Sequence, residues 1–275
     1  APRVIRPDLL MTENGFALTE LDAVPGGIGI TGWLSKRYGA EGHKLLGGPA
    51  GMVEGFRSLM PRGGEVLISE ESVDYRSEME WLVNALNGAG EEPWGVSSAE
   101  TFEDGNSSGG LYRFFELFDW EAIPALLSLS RSRNLTPPCK PHFEEKLWLA
   151  LLWSPGLREV WEAEMRRSHL QRIRELVPFG WVVDPSPLPP HASLPRLEVH
   201  SWQQLENFSQ KQRRLVLKVS GFSELAWGSR GVVIGHDVSR EEWGTALSAA
   251  CEGFENQPYM LQEFREAKLV EHSYF

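Results

Sequence analysis

Two stretches of the chain place charged groups where a strand pattern asks for apolar ones. The first is "IRPDLLMTENGFALTELDAVPGG", residues 5–27, with Arg6, Asp8, Glu20 and Asp22 on the arms of a hairpin whose turn is marked by Asn14-Gly15. Register decides what these groups can do. A two-residue Asn14-Gly15 turn pairs Asp8 with Leu21 and puts Glu20 and Asp22 on the face of Ile5, Leu9 and Met11. A three-residue loop, Glu13-Asn14-Gly15 with the glycine in the left-handed position, pairs Thr12 with Phe16. Asp8 then lies opposite Glu20, and Arg6 opposite Asp22. One face carries Ile5, Leu9, Met11, Ala17 and Leu21; the other carries Arg6, Asp8, Glu20 and Asp22 beside Leu10 and Leu18. Burial of one face specifies register and favours the second arrangement. Opposed like charges destabilise a sheet and raise each other's pKa. A hard divalent cation with a taste for oxygen, such as Mg²⁺, resolves that conflict. A polar face with its charges splayed into water is the other reading.

The second stretch is "RLVLKVSGFSELAWGSRGVVIG", residues 214–235. Lys218 stands inside an apolar strand pattern, just before a loop rich in Gly and Ser. A lysine on an edge strand discourages aggregation. A lysine at a strand end beside free backbone N–H groups can instead converge with them on an anion, and glycines let the main chain come close. The loop is not a P-loop, which requires Lys-Ser/Thr after its last glycine.

Arg-x-Asp, then twelve residues from Asp8 to Glu20, then Glu-x-Asp and Pro-Gly, resembles the metal-binding end of ATP-grasp ligases. In that superfamily the motif usually ends Glu-x-Asn, so Asp22 is a departure. Here the motif precedes the lysine and glycine loop. That order resembles the circularly permuted group that includes glutathionylspermidine synthetase-like proteins. "YRFFELFD", "EEKLWLALLW", "VLKVSG…WGSRGVVIG" and "YMLQEF" agree with it in scattered patches across most of the chain.

The resemblance implies a mixed α/β ATP-grasp fold, two lobes clamping a nucleotide, with an additional small α/β substrate region. Asp8, Glu20 and Asp22 would hold one or two Mg²⁺ ions, and Arg6 would contact a phosphoryl group or the acyl phosphate. Lys146 and Lys218 would be the nucleotide-binding lysines. Gly228, Ser229, Arg230 and Gly231 would form the loop over the phosphates, while Gln262, Glu263 and Phe264 would line the adenine of ATP. The implied reaction is ADP-forming ligation through an acyl phosphate. Its substrates would be small: a carboxylate and an amine or thiol. The other class is an ATP-binding module that does not ligate, or an incomplete fragment, acting as a sensor or partner-binding subunit. Asp22 motivates it, as do the missing initiator methionine, which implies upstream residues, and the end at "VEHSYF", where permuted relatives carry further sequence. A glutathionylspermidine-type amide synthetase in the narrow sense is the remaining reading.

Each of these residues also has a plainer role open to it. Lys146 in "HFEEKLWLALL" could be an exposed charge on an amphipathic helix. "YMLQEF" could be an ordinary sheet strand. Arg113 and Glu116 in "LYRFFELFD" could form a buried pair or bind substrate.

The elements that must position these groups follow from pattern. After the hairpin and "VPGGIG" come helices. "GGEVLISEESVDYRSEMEWLVNALNGAG" and "WGVSSAETF" read as a β-α-β unit. "EDGNSSGG" is a loop, and residues 143–176 are helical with a break at "SPG". "VDPSPLPPHASLP" is a proline-rich linker or surface loop, which suggests a lobe boundary near 184–195. Ser201 caps a short helix, strands follow around 215–219, 231–235 and 259–264, and Ser239 caps a helix near 240–252. The division expected is 1–63 for the acidic part of the core, 64–135 for an α/β substrate region, and 136–275 for the nucleotide lobe.

Composition closes off other classes. The chain has 275 residues, 41% hydrophobic and 24% charged, which suits a globular protein with a sizeable core. A net charge of −11 argues against nucleic acid as the main partner. No apolar run approaches the roughly 20 residues of a membrane span. Cys139 and Cys251 form no CxxC pair, so a reducing, cytoplasmic setting is expected. The seven histidines lack metal-ligand spacing, and "GSRG" lacks the GxSxG elbow.

Overall fold

The computed structural model describes residues 3–103, 109–131, 135–221, 223–226, 228 and 230–271. The chain opens with the hairpin, β1 (Arg6–Thr12) and β2 (Gly15–Asp22). Glu13 and Asn14 form the turn and Gly15 sits at φ 123°, which suits the three-residue loop. The chain divides into two compact units, and the hairpin belongs to both. The first unit is Ala1–Arg6 with Asp22–Glu144; the second is Pro7–Leu21 with Glu145–Phe275. The proline-rich 184–195 segment lies inside the second unit, so it is a surface connection and not the boundary expected there.

The first unit contains α1 (Ile28–Ala40), α2 (Gly51–Leu59), β3 (Gly64–Ile68), α3 (Arg76–Asn87), β4 (Trp94–Ser98), β5 (Gly110–Phe114), α4 (Leu126–Arg131) and β6 (Leu135–Thr136). Its sheet runs β4-β3-β5-β6, and these neighbours pair in parallel. The β-α-β unit is therefore present. Alternation along β5 splits the core: Tyr112 and Phe114 join Val66, Ile68 and the helices α1–α3, while Leu111 and Phe115 join Leu67, Ile123 and Leu129. Gly29 allows α1 to lie close on α3, since a Cβ there would come within 2.7 Å of the Glu78 Cα.

The second unit contains α5 (Trp148–Leu151), α6 (Arg158–Glu164), α7 (Arg167–Leu176), β7 (Gly180–Val182), β8 (Leu215–Val219), β9 (Val232–Ile234), α8 (Arg240–Glu252) and β10 (Tyr259–Glu263). Its sheet is antiparallel in the order β7-β10-β8-β9. One face packs Trp181, Leu215, Leu217 and Leu261 onto α8. The other presents Met260 to Leu18, Leu149, Leu152 and Leu170. Ser239 caps α8 with a full capping box: Oγ accepts from the Glu242 N–H at 3.1 Å, and the Glu242 carboxylate accepts from the Ser239 N–H at 2.8 Å. Ser201 departs from expectation. It precedes a 3-10 turn at Trp202–Asn207, and its side chain makes no cap bond. Among the described residues no helix is long and apolar enough to cross a membrane.

Candidate functional site

The burial of the hairpin inverts the sequence argument. Ile5, Leu9 and Met11 are exposed, and the face carrying Asp8 and Leu10 is the better covered one. Cations account for this within the second unit. Lys146, two residues before α5, reaches the hairpin: its Nζ lies 2.8 Å from Glu20 Oε1 and donates to the Ala226 carbonyl at 2.9 Å. Lys146 is buried, so the reading of an exposed helix charge fails.

Lys218 is also buried. Strand β8 is interior, flanked by β10 and β9, which removes the edge-strand reading. Lys218 pairs with Met260 on one side and Val232 on the other. Its ammonium donates to the Thr19 carbonyl at 2.8 Å and to Gln262 Oε1 at 3.1 Å. Burial lowers its pKa to about 8; Lys146 pushes the same way, while Glu20 and Asp8 oppose. Both hairpin acids of this unit therefore act on one ammonium.

Gln262 is 2% exposed, and its Nε2 has no hydrogen-bond partner among the described residues. An unpaired buried donor costs stability unless a ligand meets it. The side chain faces Lys218, and its Oε1 holds that lysine. Glu263 points to the other face, where Arg196 and Arg265 hold its carboxylate at 2.8 and 3.1 Å. The Glu263 N–H goes to the Phe179 carbonyl at 2.8 Å, and the Phe264 N–H to the Arg214 carbonyl at 3.0 Å. Both N–H groups are therefore bonded within the sheet region.

Two partners are not legible in the sequence. Ser220 Oγ, just past Lys218, donates to the Glu145 carboxylate at 2.6 Å, and Glu145 also accepts from the Leu147 N–H at 2.7 Å. This clip ties the start of α5, and so Lys146, to the end of β8. Beyond it, Gly228 adopts φ 61° and Arg230 is exposed. Gly231 accepts from the Val219 N–H at 3.0 Å, which closes the loop back onto β8. Ser229 lies outside the described residues.

The remaining sequence candidates belong to the first unit. Arg6 donates to the Gly26 carbonyl at 2.7 Å and lies 3.3 Å from Asp22 Oδ2, the pairing that the three-residue loop requires. The other oxygen of Asp22 accepts from the Val24 N–H at 2.7 Å. Arg113 is fully buried on an interior strand and pairs with Glu144 at 2.7 Å, not with Glu116. Burial first, then the Glu144 and Asp22 carboxylates, push the Glu116 carboxyl well above the usual range.

No protein-family model matches the chain, and no curated protein sequence does either. Solved structures do. A glutathione synthetase-like effector from Globodera pallida, in its apo form, aligns with a TM-score of 0.52 at 11% identity, over 95% of this chain and 60% of that one. A candidate gamma-glutamylcysteine synthetase from Methylobacillus flagellatus KT aligns with a TM-score of 0.49 at 15% identity, over 96% of this chain and 68% of that one. The first is a likeness of fold, and this chain spans 60% of that effector's length.

Proposed function

We propose that the chain has an ATP-grasp-like fold of circularly permuted order, that its second unit binds Mg²⁺·ATP, and that it ligates a small carboxylate to an amine with release of ADP. One observation carries the reading. Lys146 and Lys218 come from a helix start and an interior strand, and both are buried, Lys146 against Glu20 and Lys218 within the influence of Glu20 and Asp8. Buried ammonium groups with so few fixed partners suit a ligand rich in negative charge.

The donor set fits magnesium. Among the described residues no three His, Cys, Asp or Glu side chains stand together as a cage. Mg²⁺ does not need one, because it typically takes one or two carboxylates with phosphate oxygens and water. Asp8 and Glu20 would be those carboxylates. When bound, the ion would supply positive charge that offsets the phosphates' own.

The chain's own residues divide the remaining work. Lys146 and Lys218 take phosphate oxygens, Gln262 aims Lys218, and the backbone at Gly228 and Gly231 covers the phosphates. In the reaction a substrate carboxylate attacks the γ-phosphorus and ADP leaves. The amine then attacks the acyl carbon, phosphate leaves, and the amine proton passes to water. No protein nucleophile is required; positioning and charge neutralisation do the chemistry. A reducing cytoplasmic setting suits the two free cysteines.

A second reading, nucleotide binding without ligation, is favoured by Asp22 and Arg6. The chain has Asp where the motif usually ends in Asn, and that carboxylate is bonded to the arginine expected at the phosphoryl group. One experiment separates the two. Mg²⁺·ATP should raise the melting temperature of wild type and not of Lys218→Met. ADP release is then screened with pairs of carboxylates and amines: release supports ligation, and stabilisation without release supports the second reading. No melting shift with wild type overturns both.

A further inference from the structure

We infer that Glu20 determines the specificity of the site for metal-bound over metal-free nucleotide, by occupying Lys146 until a divalent cation draws the carboxylate away. The inference rests on the nucleotide-site reading above and adds a selection rule to it. Glu20 Oε1 lies 2.8 Å from Lys146 Nζ, with the lysine side chain 11% exposed and the glutamate 32%. In so covered a place the attraction is far stronger than in water.

The two lysines of the site differ in how they are held. Lys218 is held by neutral acceptors, the Thr19 carbonyl and Gln262 Oε1. A phosphate can approach it and find positive charge. Lys146 is held by a carboxylate, with the Ala226 carbonyl as its other acceptor. A metal-free triphosphate reaching Lys146 must break that ion pair and then sit beside the displaced Glu20 carboxylate. Both steps oppose binding, because the liberated charge repels the phosphates. A divalent cation removes both obstacles: it takes Glu20 as a ligand and leaves the ammonium open to phosphate. Metal and nucleotide thus each free the group the other needs, and the coupling is reciprocal.

A residue that only ligated the metal would behave differently. Its loss would weaken Mg²⁺-dependent binding, and any relief of repulsion on metal-free ATP would be the same in wild type and in the Lys146→Met background. If Glu20 also blocks Lys146, its loss strengthens metal-free binding. The test is calorimetric titration of ATP into wild type, Glu20→Ala, Lys146→Met and the double variant, each in EDTA and in MgCl₂, with no acceptor substrate present. We expect Glu20→Ala to bind metal-free ATP at least about fivefold more tightly than wild type, within the usual span of such couplings. The ratio of Mg²⁺-bound to metal-free affinity should shrink. In the Lys146→Met background, replacing Glu20 should give a smaller gain, and the difference isolates the pair; equal gains in both backgrounds overturn the inference. Should Glu20→Ala fail to fold by thermal melting, Glu20→Gln carries the test, since it keeps the shape and removes the charge. Unchanged metal-free affinity in the variant, with wild type binding Mg²⁺·ATP, overturns this inference and leaves the nucleotide site standing. Absence of binding by wild type in both buffers overturns the nucleotide site and the inference together.

Discussion

Lys218 and Gln262 meet diagonally across the ladder between β8 and β10, with the ammonium 3.1 Å from the amide oxygen. This contact explains how an interior strand tolerates a lysine. Adjacent strands alternate their faces in step, so residues two apart along the pleat share a side. Lys218, Met260 and Gln262 therefore stand together, away from the core that packs on α8. The glutamine supplies an acceptor from the sheet, and Thr19 supplies another from the hairpin.

Replacing Gln262 with Met tests that support. The change keeps volume and removes an acceptor from a buried cation. Unfolding stability should fall by about 1.5–3 kcal/mol, the usual contribution of one hydrogen bond to a charged group. ATP binding should weaken as well, because Lys218 loses its aim. Denaturant titration reads the first effect and calorimetry the second. A variant as stable as wild type would mean that Thr19 alone suffices.

The titration of Lys218 makes ATP binding depend on pH in a definite direction. In the free protein its pKa is lowered to about 8. A bound triphosphate favours the ammonium and raises that value, so the complex holds more protons than the free protein above about pH 8. Affinity should then fall as pH rises through 8, by up to tenfold per pH unit. The stability of the free protein moves the opposite way. The unfolded lysine titrates at its ordinary, higher value, so the unfolded state binds more protons between the two and stability rises across that window. Gln262→Glu adds a charge partner and should move both effects to higher pH. Titrations from pH 6.5 to 9.5 on the wild type and this variant decide it.

In the first unit, the two glutamates near Arg113 should respond unequally to neutralisation. Glu144 is the ionic partner of a fully buried guanidinium. Glu144→Gln leaves that charge uncompensated and should cost about 3–5 kcal/mol. Glu116 already has its carboxyl pushed well above the usual range, by burial and then by Glu144. Glu116→Gln should therefore be close to neutral. A raised folded pKa also means that wild type loses stability as pH climbs through it, and Glu116→Gln should flatten that slope. Thermal melts between pH 4 and 8 measure both.

What the sequence discloses is mostly local. Asn14-Gly15, the Ser239 capping box and the β-α-β pattern at 64–98 depend on neighbours in the chain and can be read directly. The two lysines emerge only through a resemblance, because no local rule places a buried lysine. Their partners are hidden for a physical reason. Glu20 and Lys146 are far apart in sequence, as are Ser220 and Glu145, and pairing at such separation is set by tertiary packing. The burial of the hairpin faces eludes the sequence for the same cause: alternation identifies two faces, but only the distant lysines decide which turns inward. Arg113 is conspicuous inside its aromatic strand, but Glu144, its partner, looks like one of two ordinary acids before Lys146.

The last prediction concerns the glycine loop, where two glycines serve different ends. A Cβ at Gly231 would lie 2.7 Å from the Leu225 carbonyl oxygen and press into the Val219 side chain. Val219 and Leu225 flank the loop, so the clash would pry it from β8. Gly231→Ala should destabilise by about 1–3 kcal/mol, as overpacking does. Gly228 has φ 61°, and a Cβ there would meet nothing within 4 Å. Gly228→Ala meets backbone strain alone, about 1 kcal/mol. The order of the two losses, Gly231→Ala above Gly228→Ala, is what denaturant titration should return. With Mg²⁺·ATP present the order should persist, while Gly228→Ala also slows nucleotide release or entry if the loop must flex over the phosphates, which stopped-flow binding measures. Equal losses would show that the loop is free to move away from β8, and that Gly231 does not anchor it.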